Sequence, residues 1–369
     1  MPNMLNFWNS FFLCIILCII PLLLHAKEDF FIQQIRADLQ PFQKLSKKKL
    51  DRAETYLKHA YNSVRVQFGQ FGIHMKVLNK IEWQYRKKSV TKALNELLQF
   101  CKERNLKIPE VDFFLSLEDT FRYKSQVPVL TFAKDTKIQN SSVLFPDCDI
   151  FIGWYQMERL LVRKGDAKYP WKTKKEKFIW RGTTNGHIGN NNNIWIKPNN
   201  YDCFSRVKLV KFSIQHPEIV DARFIARSLG AEKIPEFQVF MGKRIPFEDF
   251  LAYKYQLLMD GTTYAFSRAY WQFLSNSVVF KEESTHVQWY CKGLLPFVHY
   301  IPIKSDLSDL IEKFQWVKTH DQEAQQIAIE ATKFVHEHLS RDKTLEYMYT
   351  LFIEYEKLFQ KNTKRSSKD

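Results

Sequence analysis

The chain of 369 residues is poor in the residues that interrupt regular structure, with only 11 Gly and 13 Pro. That scarcity excludes collagen-like and low-complexity classes. Residues 1–26 carry no Lys, Arg, Asp or Glu. The six cysteines lack any CxxC spacing, so no zinc site follows from them. His336-Glu337-His338 has i,i+2 spacing, which sends its imidazoles to different sides of a helix, whereas HExxH needs i,i+4. GxSxG, P-loop, GxGxxG, zinc-finger and RNP-type patterns are all missing, and nucleic acid is not an expected partner.

What is present suits a folded protein. Apolar residues make up 45% and charged residues 26%, enough for a packed core. At roughly 150 residues per domain the length suggests two domains. The net charge is +15, and it is uneven. Residues 27–175 carry 29 basic and 17 acidic side chains, against 26 and 23 over 176–369. An anionic glycan or a membrane surface is expected to meet the basic half. Phe11 to Leu24 is an apolar run of 14 residues. It is short for a span of about 20 residues and suits the core of a signal peptide, with Ala26 before Lys27. Residues 1–26 are therefore expected to be a signal peptide or a membrane anchor, and the protein exported or membrane-associated. Cys101, Cys148, Cys203 and Cys291 lie outside that run, and one or two disulfides would suit an exported protein.

The pattern from Gln33 to Cys101 reads as mostly helical. Strand-like runs follow at Val111–Leu117, Val127–Phe132 and near Val143–Pro146. The Lys-rich stretch from Lys164 to Lys177 reads as a linker. Beyond it strands are predicted at Lys177–Trp180, Lys254–Met259, Ser277–Lys281 and Val298–Ile303, with Ser305 capping a following helix and another helix from Asp321 to His338. Strands alternating with helices argue an α/β architecture.

Four motifs carry chemistry. Asp119 ends an apolar strand, where α/β proteins place catalytic groups. Trp180-Arg181-Gly182-Thr183-Thr184-Asn185-Gly186 can bring N–H groups, hydroxyls and a guanidinium onto phosphate oxygens. Asp260-Gly261, followed by Ser267-Arg268, makes a second anion-binding loop, and two such loops suit a diphosphate. Asp147-Cys148-Asp149 has the DxD form that can hold a divalent cation, or is an ordinary strand end.

Read in order, these segments resemble the Rumi-type, capsule-associated glycosyltransferase family, which includes lipopolysaccharide-modifying enzymes, capsule xylosyltransferases and protein O-glucosyltransferases. Phe178-Ile179-Trp180-Arg181-Gly182-Thr183-Thr184, Arg206-Val207-Lys208-Leu209-Val210, Asp221-Ala222-Arg223-Phe224 and Tyr253 to Gly261 carry the likeness, as do Ser275 to Lys281, Leu295 to Ile303 and Asp306 to Leu310. The resemblance implies a GT-B-type α/β fold, with two Rossmann-like domains facing across a cleft and a C-terminal helical extension. The expected boundaries are an acceptor-side domain over 27–175, a nucleotide-sugar domain over 176–338, and a helix with a basic tail over 339–369.

The likeness also implies an inverting, metal-independent transfer from a UDP-linked sugar, which is a co-substrate and not a resident cofactor. Asp119 falls on the family's catalytic base. Arg181 and Arg268 fall on its phosphate-contacting arginines, and Gly182, Thr183, Asp260, Gly261 and Ser267 of the two loops complete the expected nucleotide-sugar site. Asp147-Cys148-Asp149 falls on a structural strand segment, not on a metal site. The chain departs from the pattern at Thr120-Phe121, where the family has an aromatic residue and Pro, and between Gly261 and Arg268, which is one residue longer. The expected acceptor is a cell-envelope glycan such as lipopolysaccharide core or capsule. The alternatives are a protein serine, or a silent protein that only binds glycans or polyanions.

Overall fold

The computed structural model describes residues 29–360, apart from 43, 139, 140, 152, 189, 190, 193 and 194. The expected leader over 1–26 and the tail over 361–369 lie outside the described residues. The first half contains α1 (Phe30–Leu39), α2 (Lys47–Leu57), β1 (Ser63–Gly69), β2 (Gly72–Val77), α3 (Gln84–Glu103), β3 (Val111–Ser116), β4 (Val129–Thr131), β5 (Ser142–Leu144) and α4 (Trp154–Lys168). The second contains β6 (Lys175–Thr183), α5 (Ser205–Gln215), β7 (Val220–Ala226), β8 (Tyr253–Leu258), α6 (Phe266–Leu274), β9 (Val278–Glu282), β10 (Ile301–Ile303), α7 (Leu310–Thr319), α8 (Asp321–His338) and α9 (Arg341–Gln360).

The first sheet has the order β2-β1-β3-β4-β5. β1 pairs antiparallel with both β2 and β3, while β3, β4 and β5 run parallel. The β1–β2 hairpin corrects the helical reading of residues 33–101. Its turn depends on Gly72, whose φ of +112° side chains disfavour. The second sheet has the order β7-β6-β8-β9-β10 with every pair parallel. Counted along its own strands this is 2-1-3-4-5, a doubly wound order whose switch point lies between β6 and β8. Trp180, Tyr255, Val279 and Phe280 are buried in it, as expected of strands covered on both faces.

Three other expectations are revised. The supposed linker over 164–177 is the end of α4 and the start of β6. Strand β10 spans only Ile301–Ile303, and α7 begins after Asp309, whose carboxylate accepts from the Lys304 N–H at 3.0 Å, rather than after Ser305. Cys101, Cys203 and Cys291 are free thiols, so no disulfide joins these described cysteines.

The halves are tied together in several places. α4 packs against α6, stacking the rings of Tyr155 and Tyr270 at 3.9 Å. A two-residue antiparallel ladder joins Lys134–Asp135 to His286–Val287. The last helix, α9, returns to the first sheet, where Phe352 packs against Phe68 and Phe113 at 5.2 and 5.0 Å. Among the described residues no helix is long and apolar enough to cross a membrane.

Candidate functional site

The carboxyl ends of β6 and β8 flank the switch point, where open α/β sheets hold their ligands. Arg206, in the first turn of α5, and Arg268, in the first turn of α6, both reach this point. Arg206 donates through Nη1 to the Thr183 and Asn185 carbonyls at 3.2 and 2.8 Å, and through Nη2 to the Met259 carbonyl at 3.1 Å. Arg268 donates through Nη2 to the Arg181 carbonyl at 2.7 Å. Each guanidinium is thus moored on a strand end. Arg206 Nε and Arg268 Nη1 are buried without a hydrogen-bond partner, and neither arginine forms an ion pair among the described residues. Burial lowers the pKa of both to about 10, and for Arg206 the neighbouring charge of Arg268 adds to the effect. Two buried cations side by side are costly until an anion joins them.

The predicted residues distribute around this pair. Gly261 lies under the Arg206 guanidinium, and a Cβ there would meet Nη2 at 2.9 Å. Gly182 makes room for its own strand neighbour, because a Cβ would fall 2.3 Å from the Trp180 ring. Thr183 supplies a carbonyl to Arg206 and its hydroxyl to Asn185. Asp260 is 1% exposed, its Oδ2 lies 3.4 Å from His286 Nδ1, and its N–H donates to Glu282 Oε2 at 3.2 Å. Burial pushes the Asp260 carboxyl up, but His286, Lys281 and Ser284 outweigh that and hold its pKa below the ordinary value. Ser267, in the first turn of α6, counters the rise that burial gives the pKa of the Glu158 carboxyl on α4.

Arg181 does not join them. Its Nη2 pairs with Asp221 at 2.8 Å, its Nη1 donates to the Trp180 and Asp221 carbonyls at 2.9 Å, and its Nε to the Lys243 carbonyl at 3.3 Å. All three nitrogens are engaged in binding β6 to its surroundings, and the second guanidinium at the switch point is Arg206. The sequence contained a sign of this: Arg206 follows the Gly182–Gly186 loop and opens a helix, but an arginine in a mostly apolar run reads as surface.

Asp119 lies just beyond β3. Arg86 on α3 holds its Oδ1 at 2.5 Å and donates to the Leu117 carbonyl at 2.8 Å. Thr120 bridges to Ala133, and the Phe121 N–H donates to Thr131 Oγ1 at 3.1 Å, so backbone pairing fixes the segment where the family pattern has Pro. A cavity of about 570 Å³ is lined by Glu118 and Thr120, the chain neighbours of Asp119, together with Arg122, Tyr123, Tyr61 and Lys80, whereas Asp119 itself is not in the lining.

Between the two loci run further carboxyls. Asp147 is buried and accepts from the Tyr155 hydroxyl at 2.6 Å and the Asp149 N–H at 3.1 Å. Burial and Asp149 raise its pKa to about 7, with Arg86 opposing. The DxD segment is thus held by internal hydrogen bonds, and no group of three or more His, Cys, Asp or Glu side chains suited to a metal occurs among the described residues. Glu158, which sequence reasoning missed, is 6% exposed, and burial raises its pKa to about 8. Ser267 and Arg268 counter that rise, whereas Asp149 and Asp147 add to it.

This constellation can bind a polyanion at the paired arginines and take a proton at Asp119. Residues 27–368 match the family model described as glycosyl transferase family 90. Protein O-glucosyltransferase 2 of Danio rerio is 31% identical over 264 residues, covering 69% of this chain and 49% of that protein. Protein O-glucosyltransferase 3 of Homo sapiens is 27% identical, covering 77% and 54%. Human protein O-glucosyltransferase 1 is 25% identical, covering 70% and 65%. The chain spans about half the length of the first two. Among solved structures, the C-terminal domain of a group 1 glycosyl transferase from Francisella tularensis matches with a TM-score of 0.30 at 13% identity, covering 50% of this chain and 93% of that one. That likeness is too slight to add to the fold. The family match over nearly the whole chain, together with the ordered segments of the second sheet, settles the assignment: the chain belongs to glycosyl transferase family 90.

Proposed function

We propose that this chain transfers a sugar from a UDP-linked donor to a hydroxyl of a protein side chain, with inversion at the anomeric carbon. The observation that carries the reading is the pair of buried guanidiniums, Arg206 and Arg268, moored at the switch point with N–H donors to spare. The diphosphate lies between them, and as the anomeric C–O bond breaks they stabilise the charge gathering on the departing UDP. The acceptor oxygen attacks the anomeric carbon from the opposite face, and Asp119 takes its proton. In this reading the two sheets form the two faces of a GT-B-type cleft, with the donor on the second and the acceptor hydroxyl against Asp119 on the first. No resident cofactor takes part in these steps.

The acceptor follows from the relatives. Their names specify protein O-glucosylation, which favours a protein hydroxyl over the lipopolysaccharide or capsule glycan suggested by the basic first half. Glucose is the first donor sugar to test. Asp119→Asn is expected to reduce turnover about 10²- to 10⁴-fold, the usual contribution of a general base, with UDP-glucose affinity changed less than two-fold. UDP release would be followed with Ser-bearing protein domains and, separately, with an acidic glycan. Turnover equal to the parent would remove Asp119 from the mechanism. Release that depends only on the glycan would restore the envelope acceptor. Binding without release on any acceptor would leave a silent glycan- or nucleotide-binding protein.

A further inference from the structure

We propose that the cavity between α4, α6 and α8 binds a small amphiphilic anion, with its phosphate or carboxylate head on Arg159 and Arg163 and its apolar body on Leu160, Val162 and Leu274. The cavity measures about 500 Å³, within the roughly 300–1,000 Å³ usual for small-molecule sites. Its remaining lining is Asp166 of α4 with Thr332 and His336 of α8. This site is separate from the donor site. Arg268 stands in the first turn of α6 and Leu274 is its last residue, about 9 Å further along the axis. The proposal therefore does not depend on the donor reading.

Helical spacing brings the charges together. Arg159, Arg163 and Asp166 stand at i, i+4 and i+7, on one face of α4. Asp166 would be the i,i+3 partner of Arg163, but it is taken. Its Oδ1 accepts from Lys174 Nζ at 3.1 Å and its Oδ2 from the Asn276 N–H at 3.0 Å, and the Lys174 side chain is fully buried. Among the described residues neither Arg159 nor Arg163 is in an ion pair. Arg159 is fixed in place, because its Nε donates to the Tyr270 hydroxyl at 2.5 Å and that ring stacks on Tyr155 at 3.9 Å. Its Nη2 is buried with no hydrogen-bond partner. A fixed cation with an unused N–H and no carboxylate is costly until an anion arrives. The carbonyl end of α6 does not answer it, since the Leu274 and Ser275 carbonyls accept from Thr332 Oγ1 at 3.1 and 3.2 Å. The rest of the wall is apolar. Val162 and Leu274 are buried, whereas Leu160 lines the cavity yet is 44% exposed, open to a ligand. A bare inorganic ion would leave this wall unused, and a neutral hydrocarbon would leave the guanidiniums unpaired. An anion with an apolar body meets both.

The test is calorimetric titration of the full chain with octyl phosphate and with octanoate, against inorganic phosphate and octanol as the head and the body alone. At least one amphiphile is expected to bind about ten-fold or more tightly than both controls. Arg163→Gln should weaken that binding about ten-fold and Arg159→Gln roughly 10- to 150-fold, the worth of a charged hydrogen bond. Leu160→Ser should weaken it about three- to ten-fold, through lost apolar contact. Arg159 also anchors Tyr270, so denaturant unfolding accompanies that variant. Should it fail to fold, Arg163→Gln and Leu160→Ser, both at exposed positions, carry the test. UDP-glucose should not compete with the amphiphile. Failure of both amphiphiles to bind at millimolar concentration overturns the proposal. So does octanol or inorganic phosphate binding as tightly, or amphiphile binding unchanged in both Arg163→Gln and Leu160→Ser. Displacement of the amphiphile by UDP-glucose overturns it as well, by placing the probe in the donor site.

Discussion

Arg181 and Arg206 sit at the end of one strand and the start of the next helix, yet their guanidiniums do different work. Arg181 has an acid and three carbonyls to itself, so its loss would be felt in folding. Arg206 has carbonyls but, among the described residues, no acid in ion-pair contact. Arg206→Ala is expected to weaken UDP-glucose binding by about 1.5–3 kcal/mol, the usual worth of a charged hydrogen bond, or roughly 10- to 150-fold. Arg181→Ala should lower stability by about 1–3 kcal/mol, leaving the Asp221 carboxylate without its partner, and should shift donor affinity less than three-fold. Calorimetric binding alongside denaturant unfolding separates the two. The opposite pattern would reassign the second phosphate arginine to Arg181. Sequence spacing could locate both residues, but it could not say which one the strand keeps for itself, because that depends on Asp221 arriving from β7.

At the level of elements, the second sheet was the legible part. Its strands are continuous apolar runs, and burial on both faces makes such runs stand out. The first sheet was harder to read. In β1 the residues Arg65 and Gln67 interrupt the apolar run, and Arg65 is buried in a network with Asp51, Glu54 and Asp112 that local pattern does not reveal. The role of α9 was also hidden, since its apolar face fits a sheet more than two hundred residues upstream. Phe352 sits in the middle of that face, touching Phe68, Phe113 and Phe145. Phe352→Ala is expected to cost about 3–5 kcal/mol, read by chemical denaturation. Less than 1 kcal/mol would mean that α9 is a dispensable appendage.

For the whole molecule, buried titratable groups set a window of stability. Glu158 and Asp147 have folded pKa values raised to about 8 and about 7 from ordinary values of 4.5 and 3.8. Their contribution is complete at acid pH, below the unfolded values, and is lost as pH rises through 7 and 8. His299 is depressed to about 4 from 6.5, chiefly by burial. Its contribution is lost as pH falls from 6.5 toward 4, where the unfolded chain binds the proton that the fold excludes. Without donor, these three groups together should lower the melting temperature as pH rises from about 5 to 8, because below pH 6.5 the two acids outweigh the histidine and above it nothing opposes them. Scanning calorimetry of the parent and of Glu158→Gln checks this, with a flatter alkaline limb expected in the variant. An alkaline limb unchanged by the substitution would mean that Glu158 is charged in the folded protein.

The return of α9 to the first sheet also has a consequence for how the chain is made. Tyr355 and Asp112, joined by a hydrogen bond, are 243 residues apart. A ribosome must therefore synthesise the entire second half before the first sheet can be covered. In the interval the aromatic faces of Phe68 and Phe113 have no native partner in Phe352, and exposed faces of this kind invite aggregation. The half that is made first is thus completed last, and closing so long a loop slows that final docking.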